Sequence, residues 1–299
     1  MASLLSVENL QVQFQTKKGI NTAVDGVSFS VEKGRILGIV GESGCGKSVT
    51  SMSILQLLGS NARISGGSIK LDGKELIGLP EKEMCRIRGN DIAMIFQDPM
   101  TALNPTLTIG TQLMEPIMLH QNCGKKEAWT RAVDVLKRVG IAAPEKRMKE
   151  YPHQLSGGMR QRVMIAMAVS CEPRLLIADE PTTALDVTIQ AQILELMCEL
   201  REKMGTAIML ITHDMGVVAE TADDVLVLYA GKAVEYGSIE DIFERPKHPY
   251  TQGLLNSIPR LDEDVELLNT IEGTVPAPDA MPAGCRFAPR CPYGKDRCM

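Results

Sequence analysis

The feature that most constrains this sequence is a glycine-rich loop, Gly41–Ser48, between an apolar run and a segment with helical spacing. The run Ile36–Val40 has the length and closing glycine of a buried strand, and residues 48–58 are predicted to form a helix. In this order, the glycines let backbone N–H groups turn inward around phosphate oxygens, and the positive end of the helix faces them. The sequence therefore predicts a phosphate-binding loop within an α/β fold.

Each residue type in the loop fits the binding of a nucleotide. Lys47 is expected to reach the β- and γ-phosphates, and the Ser48 hydroxyl is expected to bind Mg²⁺. Val49 can contribute only its backbone N–H. The residues predicted to bind the nucleotide are Gly41, Glu42, Ser43, Gly44, Cys45, Gly46, Lys47, Ser48 and Val49.

A second apolar run, Leu175–Ala178, ends in the acidic pair Asp179 and Glu180. A carboxylate at the end of a buried strand suits a water-mediated contact to Mg²⁺, which is the role predicted for Asp179. Glu180 is the natural general base for an attacking water. An Asp-Glu pair is often only a solvated turn, but its place at the end of an apolar strand favours catalysis.

The rest of the chain alternates between strand and helix patterns. The first forty residues alternate as β-strands do, and residues 225–236 predict a closing hairpin. Beyond Arg245 the amino-acid composition changes, since eight of the sixteen prolines lie there. We therefore expect a domain over residues 1–245, with a helical part at about 100–165, and a small carboxy-terminal extension over 246–299.

Bulk properties exclude some classes of function. The net charge of −5 and the pI of about 5.5 argue against non-specific nucleic-acid binding, which depends on Lys and Arg. No run approaches the roughly 18 uncharged apolar residues of a membrane helix. The amino terminus lacks the pattern of a secretory signal. We expect a cytoplasmic chain that reaches a membrane only through a partner.

The segment Leu155–Met159 (Leu-Ser-Gly-Gly-Met) narrows the class, because it lies 23 residues before Asp179. By this signature the chain is identified as a member of the ATP-binding cassette (ABC) ATPases, which implies ATP and Mg²⁺ as cofactors. The start of a helix at Ser156, Gly157 and Gly158 is itself an anion site. The resemblance implies that this loop faces the ATP of an opposite subunit, and that Asp186 belongs to the D-loop beside it.

The same resemblance gives roles to three more residues. Gln97 resembles the Q-loop glutamine that touches Mg²⁺ and senses the membrane partner. His213, 34 residues after Asp179, resembles the switch histidine that contacts the γ-phosphate and acts with Glu180. Phe14 is the candidate for the aromatic residue that stacks on adenine. A core phenylalanine is the alternative, because segment 15–23 is expected to be a longer loop than is typical.

Two further segments and the cysteine spacing resemble the dipeptide/oligopeptide (and nickel) importer ATPases of bacteria and archaea. These features are residues 97–105, residues 245–252 and the run Cys285, Cys291 and Cys298. The resemblance implies an ATP-hydrolysing subunit that powers import of di- or oligopeptides. It also implies a heterodimer with a second ABC ATPase, bound to two membrane permeases at the cytoplasmic face of the inner membrane and supplied by an extracytoplasmic peptide-binding protein.

The three cysteines of the tail suit an iron–sulfur cluster, such as [4Fe–4S], or zinc, although both usually need four ligands. Related proteins continue to a further cysteine, so we expect the fourth ligand to be missing or to come from elsewhere. One alternative is a metal-binding regulatory module, which only the tail supports. The other is a non-transport ABC ATPase of DNA repair or the ribosome, which usually carries a coiled-coil insertion or two cassettes.

Overall fold

The computed structural model describes residues 3–17, 19–182, 187–258, 270–277 and 280–298, with only the backbone at positions 99 and 100. The chain divides into two compact units, Met1–Gly78 with Leu210–Met299 and Leu79–Met209. Both units mix strands and helices, which confirms the predicted α/β class.

The strands are β1 (Ser3–Thr16), β2 (Gly19–Glu32), β3 (Ile36–Val40), β4 (Ala62–Leu71), β5 (Lys74–Glu75), β6 (Ile92–Ile95), β7 (Leu175–Asp179), β8 (Ala207–Ile211), β9 (Asp224–Tyr229) and β10 (Lys232–Ser238). The helices are α1 (Lys47–Ile54), α2 (Glu81–Ile87), α3 (Pro99–Ala102), α4 (Ile109–Gln121), α5 (Lys125–Arg138), α6 (Pro144–Arg147), α7 (Gly157–Val169), α8 (Val187–Met204), α9 (Met215–Thr221), α10 (Ile239–Glu244) and α11 (Pro249–Asn256). Short 3-10 helices lie at Pro152–Gln154, Ala288–Arg290 and Asp296–Cys298.

The first unit begins with an antiparallel sheet of order β2-β1-β4-β5, as the alternating pattern of the first forty residues predicts. The expectation of a long loop over residues 15–23 is wrong. Strand β1 continues to Thr16 and pairs with Gly19 of β2, which leaves only residues 17–18 between the strands. Both faces of this end of the hairpin are exposed, so its residues carry no apolar alternation although the backbone ladder continues.

The same unit holds the strands that position the phosphate loop. Strand β3 is buried throughout and pairs in parallel with β9, which forms the predicted hairpin with β10. The carboxyl end of β8 follows on the other side of β3, where the Thr212 N–H donates to the Ile39 carbonyl at 3.2 Å. A short strand buried on both faces reads as a continuous apolar run, which is why the sequence pattern identified β3.

In the second unit, β6 pairs in parallel with β7, and the start of β8 lies beside β7. Helices α3 to α7 occupy residues 99–169, and their apolar faces pack together. Helix α5 shows the periodicity clearly, since Ala128, Ala132 and Leu136 are fully buried. The boundary at residue 245 stays a prediction.

The carboxy-terminal segment, of which residues 246–258, 270–277 and 280–298 are described, packs within the first unit. Tyr229 of β9, Tyr250 of α11 and Phe287 are buried, with ring centroids 4.7 to 5.4 Å apart. Arg286 pairs with Asp25 of β2 at 2.5 Å. In the part of the chain that the structure describes, no helix combines the length and apolar character needed to cross a bilayer.

Candidate functional site

The phosphate loop joins β3 to α1, as predicted, although α1 ends at Ile54, earlier than the sequence pattern suggested. Two of its positions require glycine. Gly46 caps α1 in the left-handed region at φ 103°, and Gly41 has φ 152°. A Cβ on Gly41 would lie 2.1 Å from the Leu228 carbonyl oxygen of β9, far closer than a Cβ approaches a non-bonded atom. The backbone of the loop therefore lies directly against the sheet.

Lys47 closes the loop on itself. Its ammonium donates to the Gly41 carbonyl at 2.6 Å and to the Glu42 carbonyl at 3.2 Å, and the residue is only 6% exposed. Ser43, Gly44 and Ser48 are exposed on the outer side. A buried cation behind an exposed turn of glycine and serine is a donor set that fits a polyphosphate.

The remaining two residues of the predicted set differ in burial. Cys45 is 1% exposed, and burial raises the pKa of its thiol, so it stays neutral and serves to pack the loop. Val49 is half-buried in the first turn of α1.

In the second unit, β7 carries its two carboxylates to the end of a buried strand. Asp179 is 4% exposed, and Glu180 follows with φ 48°. A left-handed conformation costs a non-glycine residue about 1–2 kcal/mol and is common where function fixes a side chain. The Gln97 amide donates to the Glu180 carboxylate at 2.9 Å. Two residues that the sequence singled out 83 positions apart are therefore in contact.

The signature opens helix α7. Ser156 is its N-cap and accepts from the Met159 N–H at 3.4 Å, and Gly157 and Gly158 form the first turn. Gln161 of the same helix is buried and donates to the carbonyl of Pro181, which follows Glu180 by one position. Within this unit, the signature helix is thus tied to the backbone next to the acidic pair.

The last three predicted residues are His213, Phe14 and Asp186. His213 is exposed just after β8, and the adjacent Asp214 caps α9 by accepting from the Gly216 N–H at 2.8 Å. Phe14 is half-buried in β1, opposite Asn21 of β2. Asp186 lies outside the described residues.

The predicted metal site at the three tail cysteines has no support in the described residues. Within the described ranges there is no group of three or more His, Cys, Asp or Glu side chains placed to hold a metal ion. Cys285, Cys291 and Cys298 are free thiols. Backbone hydrogen bonds fold this segment instead, among them the bond from the Cys285 N–H to the Cys298 carbonyl at 2.8 Å.

Two residues that sequence reasoning did not place at the site contact the phosphate loop. The Tyr250 hydroxyl accepts from the Glu42 N–H at 2.9 Å, and Arg290 pairs with the Glu42 carboxylate at 2.8 Å. Tyr250 lies in the segment His248-Pro249-Tyr250-Thr251 that marked the subfamily, so its motif was visible although its contact was not. Nothing in the local sequence singled out Arg290.

Three features together define a cassette-type P-loop ATPase. A phosphate loop follows a buried strand, a second buried strand ends in an Asp-Glu pair whose glutamate is hydrogen-bonded by a glutamine, and a helix begins at a Ser-Gly-Gly segment capped by its serine. The chain belongs to the ABC transporter family, whose sequence model matches residues 24–183. Residues 234–298 match a second model, described as the oligopeptide/dipeptide transporter, C-terminal region.

Curated relatives match along nearly the whole chain. The oligopeptide transport ATP-binding protein AppD of Bacillus subtilis is 58% identical over 100% of this chain and 91% of its own length. The dipeptide transport ATP-binding protein DppD of the same organism is 57% identical (98% and 88%). The oligopeptide transport ATP-binding protein OppD of Escherichia coli is 54% identical (99% and 88%).

Solved structures agree on the fold. A dimeric structure of a post-hydrolysis state of the ATP-binding cassette MJ0796, bound to ADP and Pi, superposes with a TM-score of 0.71 at 27% identity, over 79% of this chain and 98% of that one. The cbiO1 protein of Clostridium perfringens, part of the ABC transporter complex cbiONQ, gives a TM-score of 0.69 at 28% identity (82% and 92%).

Proposed function

We propose that this chain hydrolyses ATP as the motor subunit of an importer of dipeptides or oligopeptides. The observation that carries the ATPase is the phosphate loop closed by Lys47, whose ammonium is held 2.6 Å from the Gly41 carbonyl. The solute class rests on the relatives, which are oligopeptide and dipeptide transport proteins, and on the match over residues 234–298.

The first unit supplies the groups that bind the nucleotide. Lys47 neutralises the β- and γ-phosphates, and the exposed Ser48 hydroxyl is a ligand of the type Mg²⁺ prefers. His213 contacts the γ-phosphate in this proposal. Phe14 is the candidate for stacking on adenine, since its half-buried ring keeps one part accessible.

Three further residues are proposed to act in hydrolysis. Asp179 offers a carboxylate to the metal, and Glu180 accepts the proton of the attacking water. The Gln97 amide, 2.9 Å from the Glu180 carboxylate, holds this side chain and, in the proposal, also reaches the metal. Bound Mg²⁺ would neutralise charge on the phosphates as the terminal bond breaks.

The signature completes the site of a second subunit. Ser156 and Gly157 are exposed at a helix start, where backbone N–H groups and the helix dipole favour an anion. The dimeric cassette that bound ADP and Pi supports such an arrangement. We propose a heterodimer with a second ABC ATPase in which Ser156, Gly157, Gly158 and Asp186 contact the partner's ATP.

The finer assignments follow the importer relatives. The dimer would bind two permeases at the cytoplasmic face of the inner membrane, and a peptide-binding protein outside would supply the solute. An iron–sulfur or zinc site at the tail has only the spacing of Cys285, Cys291 and Cys298 in its support. Anaerobic purification with iron, sulfide and zinc analysis tests it, because metal below one equivalent that Cys291→Ser does not change leaves these residues as ordinary thiols.

The ATPase is tested with Lys47→Ala and Glu180→Gln in the assembled complex. Lys47→Ala removes the cation at the phosphates, so ATP binding should fall by roughly a hundredfold or more. Glu180→Gln should bind ATP as the parent does but release no phosphate, because an amide cannot accept the water's proton. Turnover by Glu180→Gln at a near-parental rate would remove Glu180 as the base.

Transport is tested separately from hydrolysis. Expressed with its neighbouring genes, the tagged chain should co-purify with two multi-spanning permeases, and peptide uptake into vesicles should require ATP. Recovery without any membrane protein, together with full ATPase activity, would favour a non-transport ABC ATPase.

A further inference from the structure

Glu42 is the second residue of the phosphate loop, and all three of its polar groups are held. Its carbonyl accepts from Lys47 at 3.2 Å, and its N–H donates to the Tyr250 hydroxyl at 2.9 Å. Its carboxylate pairs with Arg290 at 2.8 Å. The partners of the carbonyl lie within the loop, since the Cys45 N–H also donates to it at 3.2 Å. The N–H and the carboxylate are held by the carboxy-terminal segment, 208 and 248 residues away.

Arg290 is built into its place. Its side chain is only 5% exposed, and its Nε and Nη2 donate to the carbonyls of Glu272 and Ile271 at 2.9 and 3.1 Å. The guanidinium also lies 5.8 Å from the Tyr229 ring centroid, within cation–π range. A guanidinium fixed by two backbone carbonyls and an aromatic ring leaves its Nη1 to donate to the Glu42 carboxylate at 2.8 Å and to the Tyr229 hydroxyl at 3.4 Å.

Tyr250 is equally fixed. It is fully buried beside Tyr229 and Phe287, and its hydroxyl is aimed at the backbone of the loop. Burial raises its pKa far above the ordinary range, so the hydroxyl stays protonated. Its role is therefore that of a neutral hydrogen-bonding partner.

The pairing of Glu42 with Arg290 counters an electrostatic repulsion at the phosphate loop. A phosphate loop binds a polyanion, and a carboxylate within that loop repels it. Pairing Glu42 with a buried guanidinium offsets this charge. The Glu42 N–H shares a peptide group with the Gly41 carbonyl, so the Tyr250 hydroxyl that holds this N–H also fixes the carbonyl to which Lys47 donates. Through these two residues the carboxy-terminal segment contacts the phosphate loop at Glu42.

We propose that Arg290 and Tyr250 are positioning residues of the ATPase site, by which the carboxy-terminal segment neutralises and orients Glu42 of the phosphate loop. The proposal rests on the proposed ATP binding. It predicts that removing Arg290 harms ATP binding chiefly by leaving the Glu42 carboxylate uncompensated.

The test is a double-mutant cycle on the full chain, with affinity for a fluorescent ATP analogue measured by titration. Arg290→Met should weaken binding by roughly tenfold, as expected for loss of a charge-assisted pair. Glu42→Gln alone removes the carboxylate that repels the phosphates and leaves the Arg290 cation, so it should strengthen binding by roughly threefold. The double variant should recover to within about threefold of the parent, because the repelling charge is gone.

Tyr250→Phe keeps the ring and removes only the hydroxyl, so it should fold and should weaken binding by roughly threefold. Tyr250→Phe replaces Arg290→Met in the test if circular dichroism shows that Arg290→Met is unfolded at the assay temperature. Arg297→Gln and Tyr293→Phe are the matched controls, since both residues are exposed in the same segment, and they should bind as the parent does.

A purely structural role predicts a different pattern. Parental affinity in folded Arg290→Met or in Tyr250→Phe, or a loss in Arg290→Met that Glu42→Gln does not recover, would overturn the proposal. Failure of the parent itself to bind the analogue would instead contradict the proposed function.

Discussion

The two glycine-rich loops of this chain, Gly41–Ser48 and Ser156–Gly158, both precede a helix, yet they are built in opposite ways. In the phosphate loop, Lys47 is buried, and Glu42 is held by Lys47, Tyr250 and Arg290. In the signature loop, Ser156 and Gly157 are exposed, and Ser156 makes one long capping bond of 3.4 Å to the Met159 N–H. The residues of the first loop are held by several side chains of distant elements, whereas the exposed residues of the second are held mainly by the helix that they begin.

This difference has a physical consequence for function. A loop held from several sides can bind an anion with little further loss of backbone entropy, whereas an exposed helix start offers only its dipole and free N–H groups. The phosphate loop should therefore bind nucleotide in the isolated chain. The signature loop should contribute only when another subunit supplies the rest of a site.

The largest expected effect is that of Gly41→Ala, which tests how tightly the first loop lies against its sheet. The new Cβ would meet the Leu228 carbonyl oxygen at 2.1 Å, and φ of 152° is itself strained for alanine. Together these should lower the free energy of unfolding by about 3 kcal/mol. ATP affinity should fall with it, and urea denaturation with nucleotide titration measures both.

Gly44→Ala is the matched control for this prediction. Gly44 is also left-handed, at φ 78°, but a Cβ there meets nothing within 4 Å. Only backbone strain remains, at about 1–2 kcal/mol. Equal destabilisation by the two substitutions would mean that the close approach to β9 does not govern the loop.

The same contrast separates the features that the sequence predicts from those that it does not. Strand β3, the phosphate loop and α7 were predictable because each depends on local pattern: an apolar run, a glycine spacing, a signature. The contacts of Glu42 with Tyr250 and Arg290 were not, because they join residues 208 and 248 positions apart. Local periodicity carries no information about such pairs.

The same limit of local pattern applies at two smaller features, one prediction that is wrong and one that the described residues do not support. The end of the β1–β2 hairpin has the sequence of a loop because its exposed residues show no alternation, although backbone pairing continues to Thr16 and Gly19. The cysteine tail suggested a metal site from spacing alone. Spacing does not determine whether side chains converge, and in the described residues they do not form a ligand group.

The next effect in size concerns Gly157→Ala in the signature. A Cβ at this position meets nothing within 4 Å, and the backbone is not left-handed, so the isolated chain should keep its stability and its affinity for ATP. In the assembled complex the methyl group would stand between the helix start and the partner's nucleotide. Phosphate release should then fall by roughly tenfold.

ATP affinity and the rate of phosphate release should be measured on the same preparation. The isolated parent should also be a poor ATPase whose activity rises on mixing with its partner subunits. If the isolated chain hydrolyses ATP rapidly at every concentration, or if Gly157→Ala reduces its own nucleotide affinity, the shared-site arrangement is wrong.

The smallest expected effect is a pH dependence of stability that arises at helix α11, which contacts the phosphate loop through Tyr250. Helix α11, which carries Tyr250, is capped by His248, whose Nδ1 accepts from the Tyr250 N–H at 3.1 Å and must be unprotonated to do so. Burial lowers the pKa of His248 and outweighs the opposing effect of the Glu235 carboxylate. Helix α7 is capped instead by Ser156, which does not titrate in this range.

Because the pKa of His248 is lower in the folded chain than in the unfolded one, the unfolded state binds the proton more tightly. This contribution to stability is therefore complete above pH about 6.5 and is lost as the pH falls below it. The loss should be less than about 1 kcal/mol, the value of one N-cap. His248→Asn keeps a capping side chain but does not titrate, so its unfolding free energy should fall less between pH 7 and 5 than that of the parent. Identical pH profiles for the two proteins would show that protonation of His248 does not act on α11.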